Sequence, residues 1–351
     1  MAHIWVRAEQ RLNEDRVGIT PAGAAVLIKK GFSITVEESA NRIIASSEYK
    51  KAGCRIAVEN SWEHAPKDAI IFGLKELPEL DTPLYHKHIM FGHAFKGQHS
   101  SEALLQRFQK GNGSLFDLEY LVDETGRRVA AFGYWAGYAG AAISLKCWGE
   151  QQKGLICGPV TSYSSQKKLL EELKVDLKCS EAKLPKALII GALGRVGSGA
   201  IKLCEALGIK FTKWDIDDTL SGGPFPEIMD HEILINGIVA GPGTPVFVSP
   251  EYLKGPRKLT VIGDIACDPN SDYNPVPLYE SPTNWTEPAV RVSQKPPLDI
   301  MAIDNLPSLL PLESSEDFAE QLLPYLMEID NLNAGVWARA LATFEKHIAG
   351  R

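Results

Sequence analysis

The sequence predicts an α/β chain of two Rossmann-like domains whose parallel sheets flank a central cleft, and three observations carry this reading. With 351 residues the chain exceeds the size at which one core keeps growing, and hydrophobic residues at 44% are enough to fill two cores. Short apolar runs that end in or near glycine recur in both halves, as strands of a buried parallel sheet do. The run Lys186-Ala-Leu-Ile-Ile-Gly-Ala-Leu-Gly-Arg-Val-Gly-Ser-Gly199 breaks from such a strand into glycines three residues apart, then continues as a helix over Ala200 to Leu207.

In the first half, Ile4-Trp-Val reads as a strand, Thr20-Pro21 as a helix cap and first turn, Ala22 to Lys30 as the helix, and Ser33 to Val36 as the next strand after Gly31. Ala69-Ile-Ile-Phe-Gly and Ile89-Met-Phe-Gly are two further strands. In the second half, Ile233-Leu-Ile, Leu259-Thr-Val-Ile and Ile300-Met-Ala-Ile read the same way. The uncharged stretch Val129 to Leu145 is shorter than the roughly 20 apolar residues a membrane span needs, and reads as a buried helix crossing between domains. Asn274 to Pro296 reads as a loop-dominated surface excursion. Near the end, Ser314-Ser-Glu-Asp317 is expected to cap a helix carrying Phe318, Leu322, Leu323 and Leu326, and Val336, Trp337, Ala340, Phe344 and Ile348 form the stripe of another.

The glycine run carries chemistry. Gly191, Gly194 and Gly197 let the backbone turn tightly and approach an anion, while free N–H groups and the positive end of the next helix face it. That suits a dinucleotide pyrophosphate. The pattern reads G-x-x-G-x-x-G with its second glycine displaced, and a tight strand-to-helix connection without a ligand fits it too. Asp215, 24 residues after Gly191, is placed to bond a ribose 2′-hydroxyl, which favours NAD over NADP. Lys213 is the counter-signal, since an ammonium could pair with a 2′-phosphate.

Net charge of −7 and scattered basic residues exclude a nucleic-acid surface. Cys54, Cys147, Cys157, Cys179, Cys204 and Cys267 show no zinc spacing, so no metal is expected and the thiols read as reduced and intracellular. The opening residues meet a charge at once and lack a signal-peptide pattern, and the last residues are not of the Ser-Lys-Leu type, so cytoplasm is expected.

Beyond the two first-half strands stand Lys75 and Glu76, then His93 and Lys96. Ligands bind past the carboxyl ends of strands in open parallel sheets, so Lys75 and His93 form a site-like pair. Taken singly, Lys75-Glu76 also fits a solvated surface pair and His93 a loop histidine.

Arg7-Ala-Glu, Glu14-Asp-Arg-Val-Gly-Ile-Thr-Pro21, Gly73-Leu-Lys-Glu-Leu-Pro78, Phe91-Gly-His-Ala-Phe-Lys-Gly-Gln98, Phe116-Asp-Leu-Glu119 and Gly126-Arg-Arg-Val-Ala-Ala-Phe-Gly133 occur in the first half. Gly191 to Gly199, Lys213-Trp-Asp-Ile216, Gly222-Gly-Pro-Phe225 and Ile303-Asp-Asn-Leu-Pro-Ser-Leu-Leu-Pro311 follow. Together they resemble the NAD-dependent, lysine-forming saccharopine dehydrogenase family, of the alanine dehydrogenase and transhydrogenase superfamily.

The resemblance implies oxidation of the secondary amine of saccharopine with NAD, then imine hydrolysis to L-lysine and 2-oxoglutarate, the last step of the α-aminoadipate lysine pathway. It implies Lys75 as general base, His93 as the acid-base group of hydrolysis, and Glu76 and Glu119 as carboxylates that adjust them. Lys75, Arg16, Lys96, Gln98, Arg128 and Phe132 become substrate contacts. Arg127, Arg195, Val196, Asp215, Thr219, Ile303, Asp304, Asn305 and Leu306 join Gly191, Gly194 and Gly197 around the cofactor. Residues 1–133 with 320–351 become the substrate-binding domain, 134–319 the NAD-binding domain, and the protein a monomer. Some family members carry cysteines where Val196 and Gly237 stand, so a disulfide there is absent from this chain. An alanine-dehydrogenase-type enzyme and a catalytically silent NAD-binding protein are the competing expectations.

Overall fold

The computed structural model describes residues 1–78, 80–95, 99–178 and 183–349. It divides the chain into two compact units, Met1–Ala131 with Pro311–Arg351, and Phe132–Leu310.

In the first unit, β1 (His3–Val6) leads to α1 (Pro21–Lys29), whose cap Thr20 accepts the N–H of Gly23 at 3.2 Å. Gly31, at φ 102°, turns the chain into β2 (Ser33–Glu37). Then come α2 (Ser46–Lys51), β3 (Arg55–Ala57), β4 (Ile70–Phe72), β5 (Lys87–Met90), α3 (His99–Gly111) and β6 (Ser114–Asp117). The strands are parallel in the order β3-β2-β1-β4-β5-β6. Winding reverses between β1 and β4, and at such a switch point the loops beyond the strand ends diverge and leave room for a ligand.

Two later helices complete this unit. α8 (Pro311–Leu326) sets Phe318 against Phe91, ring centroids 6.0 Å apart. α9 (Gly335–Ala349) packs along β6, with Trp337 against Phe116 and Phe344 against Phe108. The expected cap at Ser314 is corrected: α8 already begins at Pro311, which needs no N–H in a first turn. Ser314 and Ser315 are buried inside the helix, where Ser315 accepts the N–H of Val17 at 2.9 Å and donates to the Pro311 carbonyl.

The second unit holds α4 (Gly133–Gln152), α5 (Gln166–Lys178), β7 (Lys186–Ile190), α6 (Arg195–Leu207), β8 (Lys210–Trp214), the short α7 (Ile216–Thr219), β9 (Ile233–Asn236), β10 (Val261–Asp264), β11 (Val290–Gln294) and β12 (Pro297–Met301). Its sheet runs β8-β7-β9-β10-β12-β11, parallel except for β11. The segment 274–296 is therefore not all loop. β11 is an edge strand, paired antiparallel with β12, and Arg291 forks onto Asp299 opposite it with N–O distances of 2.7 and 2.9 Å. Among the described residues no helix is long and apolar enough to cross a membrane.

α4 is buried through its middle turns and crosses α6 at glycines. A Cβ on Gly137 would lie 1.8 Å from the Val196 carbonyl oxygen, and one on Gly199 1.9 Å from that of Tyr134. Helix propensity alone favours alanine over glycine by about 1 kcal/mol. Backbone cannot yield to a methyl group that close, so overpacking of about 1–3 kcal/mol should win. Gly137→Ala should thus lower the denaturant midpoint, whereas a gain in stability would show that the two helices separate freely.

Candidate active site

At the carboxyl edge of the first sheet, pairing continues beyond the strands. The N–H of Gly73 donates to Ile89 at 2.9 Å, that of Phe91 to Leu74 at 2.9 Å, that of Arg7 to Phe72 at 2.9 Å and that of Leu118 to Met90 at 3.0 Å. Glu9, Lys75, His93 and Glu119 consequently leave the sheet from the neighbouring ends of β1, β4, β5 and β6.

Two carboxylates hold these ends. Glu9 accepts the N–H of Leu74 at 2.6 Å and that of Lys75 at 3.0 Å. Arg7 stands 3.4 Å from Glu9 and donates to the Lys75 carbonyl. Burial pushes the Glu9 carboxyl above its ordinary pKa, an effect that Arg7 and the two amides only partly offset. Asp117, at the end of β6, accepts the N–H of Gly92 at 3.2 Å on one oxygen and that of Glu119 at 2.9 Å on the other. His93 follows Gly92 in the left-handed region at φ 49°, and its Nδ1 lies 3.9 Å from Glu119 Oε2. A non-glycine residue held there marks a position that the surroundings over-determine.

Glu76 faces Arg11 at 3.6 Å, and both are partly exposed, so solvent screens the pair. Arg16 is buried and already forked onto Glu14, with Nε to Oε1 at 2.7 Å and Nη2 to Oε2 at 2.6 Å. That edge of Arg16, expected for a substrate carboxylate, is engaged by Glu14. Arg127 and Arg128 are exposed on a turn ordered by Asp123, which accepts the N–H groups of Thr125 and Arg127. Lys96 and Gln98 lie outside the described residues.

In the second unit Gly191 leaves β7 at φ 82°, and α6 opens on Gly194 with no side-chain cap. Gly197 has no room for a side chain, since its Cβ would lie 2.2 Å from the Gly191 carbonyl oxygen. Beside the turn, Val196 packs where a Cβ on Gly237 would come within 2.9 Å of its Cγ1, so the loop after β9 closes on the start of α6. Asp215 caps α7, accepting the N–H of Ile216 at 2.9 Å and that of Leu193, in the glycine turn, at 2.8 Å.

A cavity of about 440 Å³ adjoins this turn, lined by Asp215, Ile216, Thr219, Leu220, Ile238, Val239 and Pro242 among others. An uncapped helix start, a turn closed to side chains and an apolar cavity rimmed by a carboxylate together fit a dinucleotide. Phe132 precedes α4 and Arg195 opens α6; after β12, Ile303 and Leu306 are buried, Asp304 is exposed, and Asn305 donates to Ser308 at 2.8 Å. A larger cavity of about 690 Å³ lies beside α5, where Lys146 is already bonded to Tyr163, Glu172 and Asp176. No group of residues suited to a metal ion occurs among the described residues.

The structure thus gathers Lys75, His93, Glu76 and Glu119 on one unit, and Gly191, Gly194, Gly197, Val196, Asp215 and Thr219 on the other. Sequence reasoning missed Glu9 and Asp117. Glu9 follows β1 and Asp117 ends β6, and nothing in the local sequence marks either as the acceptor of distant amides.

The alanine dehydrogenase/PNT N-terminal domain model matches residues 5–139. The chain is 44% identical to saccharopine dehydrogenase [NAD(+), L-lysine-forming] of Candida albicans, covering 99% of this chain and 97% of that protein. It is 43% identical to that of Schizosaccharomyces pombe, over 98% and 97%. The solved structure of an L-alanine dehydrogenase superposes with a TM-score of 0.71 at 19% identity, covering 97% of this chain and 94% of that one, which shows the shared fold.

The Glu14–Arg16 pair generates a test. Burial by itself would raise the Glu14 pKa, but Arg16 and, to a smaller extent, Lys75 hold it below the ordinary value. A depressed carboxylate stabilises the fold above its ordinary pKa, and the contribution is lost as pH falls through the lowered one. Glu14→Gln should cost about 3–5 kcal/mol near neutrality, because Arg16 loses its buried counter-charge, and should weaken the acid dependence of stability. Denaturant melts from pH 7 down to pH 3 check this, and parallel curves for wild type and variant would contradict it.

Proposed function

The chain belongs to the saccharopine dehydrogenase family of the NAD+-dependent, L-lysine-forming type, and we propose that it oxidises saccharopine to L-lysine and 2-oxoglutarate, the last step of the α-aminoadipate route. It is an oxidoreductase that uses NAD+. The observation that carries the proposal is identity of 43–44% along nearly the whole length of both chains. As part of the same reading, the enzyme is a cytoplasmic monomer.

NAD+ supplies the hydride acceptor, and the turn at Gly191, Gly194 and Gly197 with Asp215 would hold it. Lys75, in its neutral form, takes the proton of the substrate's secondary amine as the carbon–nitrogen single bond becomes an imine. His93 takes a proton from the water that attacks the imine carbon and returns one to the departing lysine nitrogen, while Glu119 steadies the ring when it is charged. Arg128, together with Lys96 and Gln98, takes the substrate's carboxylates, while Arg16, forked onto Glu14, adds positive charge behind them. Overall, saccharopine, water and NAD+ give lysine, 2-oxoglutarate, NADH and a proton.

NADH consumption should be fast with lysine plus 2-oxoglutarate and negligible with ammonia plus pyruvate; the reverse order would assign the chain an alanine-dehydrogenase activity. Lys75→Met and His93→Gln should each lower turnover by about 100-fold to 10,000-fold, the usual contribution of a general acid or base, with NADH affinity nearly intact. Near wild-type turnover in either variant would remove that residue from the mechanism.

Asp215 should also make the enzyme discriminate against NADPH, whose 2′-phosphate it would repel. Comparing kcat/KM for the two cofactors checks this, and equal or higher efficiency with NADPH would give Lys213 the deciding role.

A further inference from the structure

We propose that Glu9 and Arg7 are positioning residues for Lys75, holding its backbone so that the side chain is aimed for proton transfer; the inference rests on Lys75 being the base. Residue 75 is gripped at both ends. Its N–H donates to Glu9 Oε2 at 3.0 Å, and its carbonyl accepts from Arg7 Nη2. The preceding N–H, of Leu74, donates to the other Glu9 oxygen at 2.6 Å, so one carboxylate spans two successive amides. Arg7 and Glu9 then close on each other at 3.4 Å. A further constraint is Gly73, over which the Arg7 guanidinium lies so closely that a Cβ would stand 2.4 Å from Nε.

Stability alone does not account for this arrangement. The Arg7 side chain is 1% exposed and that of Glu9 is 9% exposed, and burying two charges costs about as much as their attraction returns. Arg7 Nε, moreover, has no hydrogen-bond partner among the described residues, a further cost. What the pair supplies is direction. A loop past a strand end has no neighbouring strand to fix its amides, and the fork of Arg7 with the two oxygens of Glu9 replaces that neighbour. Displacement of a reacting group by about 1 Å can cost on the order of 100-fold in rate, so a grip on the backbone of a base has a kinetic consequence.

The groups facing Lys75 set the sign of a second effect. Arg7 and Glu9 bond this loop directly, Arg42 donates to the Arg7 carbonyl at 3.4 Å and interacts with Glu9, and Glu14, paired with Arg16, interacts with Lys75 electrostatically. Neutralising Glu9 leaves Arg7 unbalanced, which disfavours protonated Lys75 and moves its titration to lower pH.

The test uses three variants of the full chain, Glu9→Gln, Gly73→Ala and Lys75→Met. Glu9→Gln should lose about 10-fold to 100-fold in kcat, with KM for lysine, 2-oxoglutarate and NADH changed less than about threefold. The limb of its kcat profile that Lys75→Met abolishes should move to lower pH. Gly73→Ala keeps every charge and displaces the guanidinium, so kcat should fall while KM holds; it decides the matter if Glu9→Gln fails to fold. Wild-type kcat in either folded variant overturns the inference, as does a loss of kcat in Glu9→Gln with the limb unmoved and the thermal midpoint lowered. If Lys75→Met itself retains turnover, it is the identity of the base that fails.

Discussion

Carboxylates accepting backbone N–H groups at the carboxyl ends of strands are the interaction on which the candidate site of each unit depends. Glu37, at the end of β2, accepts the N–H of Ala8 at 2.9 Å and that of Asn60 at 3.0 Å. Glu9 does the same for Leu74 and Lys75, Asp117 for Gly92 and Glu119, and Asp215 for Leu193 and Ile216. In a parallel sheet the loops leaving this edge have lost their ladder, and each buried amide left unpaired would cost about 1–3 kcal/mol. An ionised acceptor makes a stronger bond than a carbonyl and offers two oxygens, so one side chain can tie two loops or two successive residues.

The consequence is that the proposed base and the proposed acid-base histidine rest on backbone held in place before any substrate arrives. Lys75 and His93 follow strands of the same sheet that pair directly with each other, and Asp117 links the histidine's loop to that of Glu119. On the other unit the equivalent ordering comes from Asp215, which pins Leu193 in the glycine turn to the start of α7. Electrostatic and proton-transfer catalysis draws on such preorganisation, because groups that need no rearrangement lose no energy in being aligned.

Much of this was legible in the sequence, for physical reasons that also explain the gaps. β4, β5, β7 and β9 read as apolar runs that stop at glycine, because both faces of a parallel sheet are buried and the exit turn demands a small residue. The glycine turn and Asp215 were legible by spacing. β11 was hidden by its flanking prolines, and tertiary pairing through Arg291 and Asp299 outweighs the local turn signals. The start of α8 was misplaced because serines resemble caps, whereas packing against Val17 buries them in the helix. Glu9, Glu37 and Asp117 were illegible as a group. Among 44 acidic residues nothing local distinguishes a carboxylate that will accept distant amides from one that faces water.

The most direct measurement follows the hydride. When the enzyme combines lysine and 2-oxoglutarate using NADH that carries deuterium at the transferable nicotinamide position, mass spectrometry of the product reports where the label goes. The expected product is saccharopine one mass unit heavier, with deuterium on the carbon that was the keto carbon of 2-oxoglutarate and one NAD+ formed per molecule. Unlabelled product, label elsewhere in the molecule, or NADH consumption without saccharopine would contradict the assignment of this chain's chemistry.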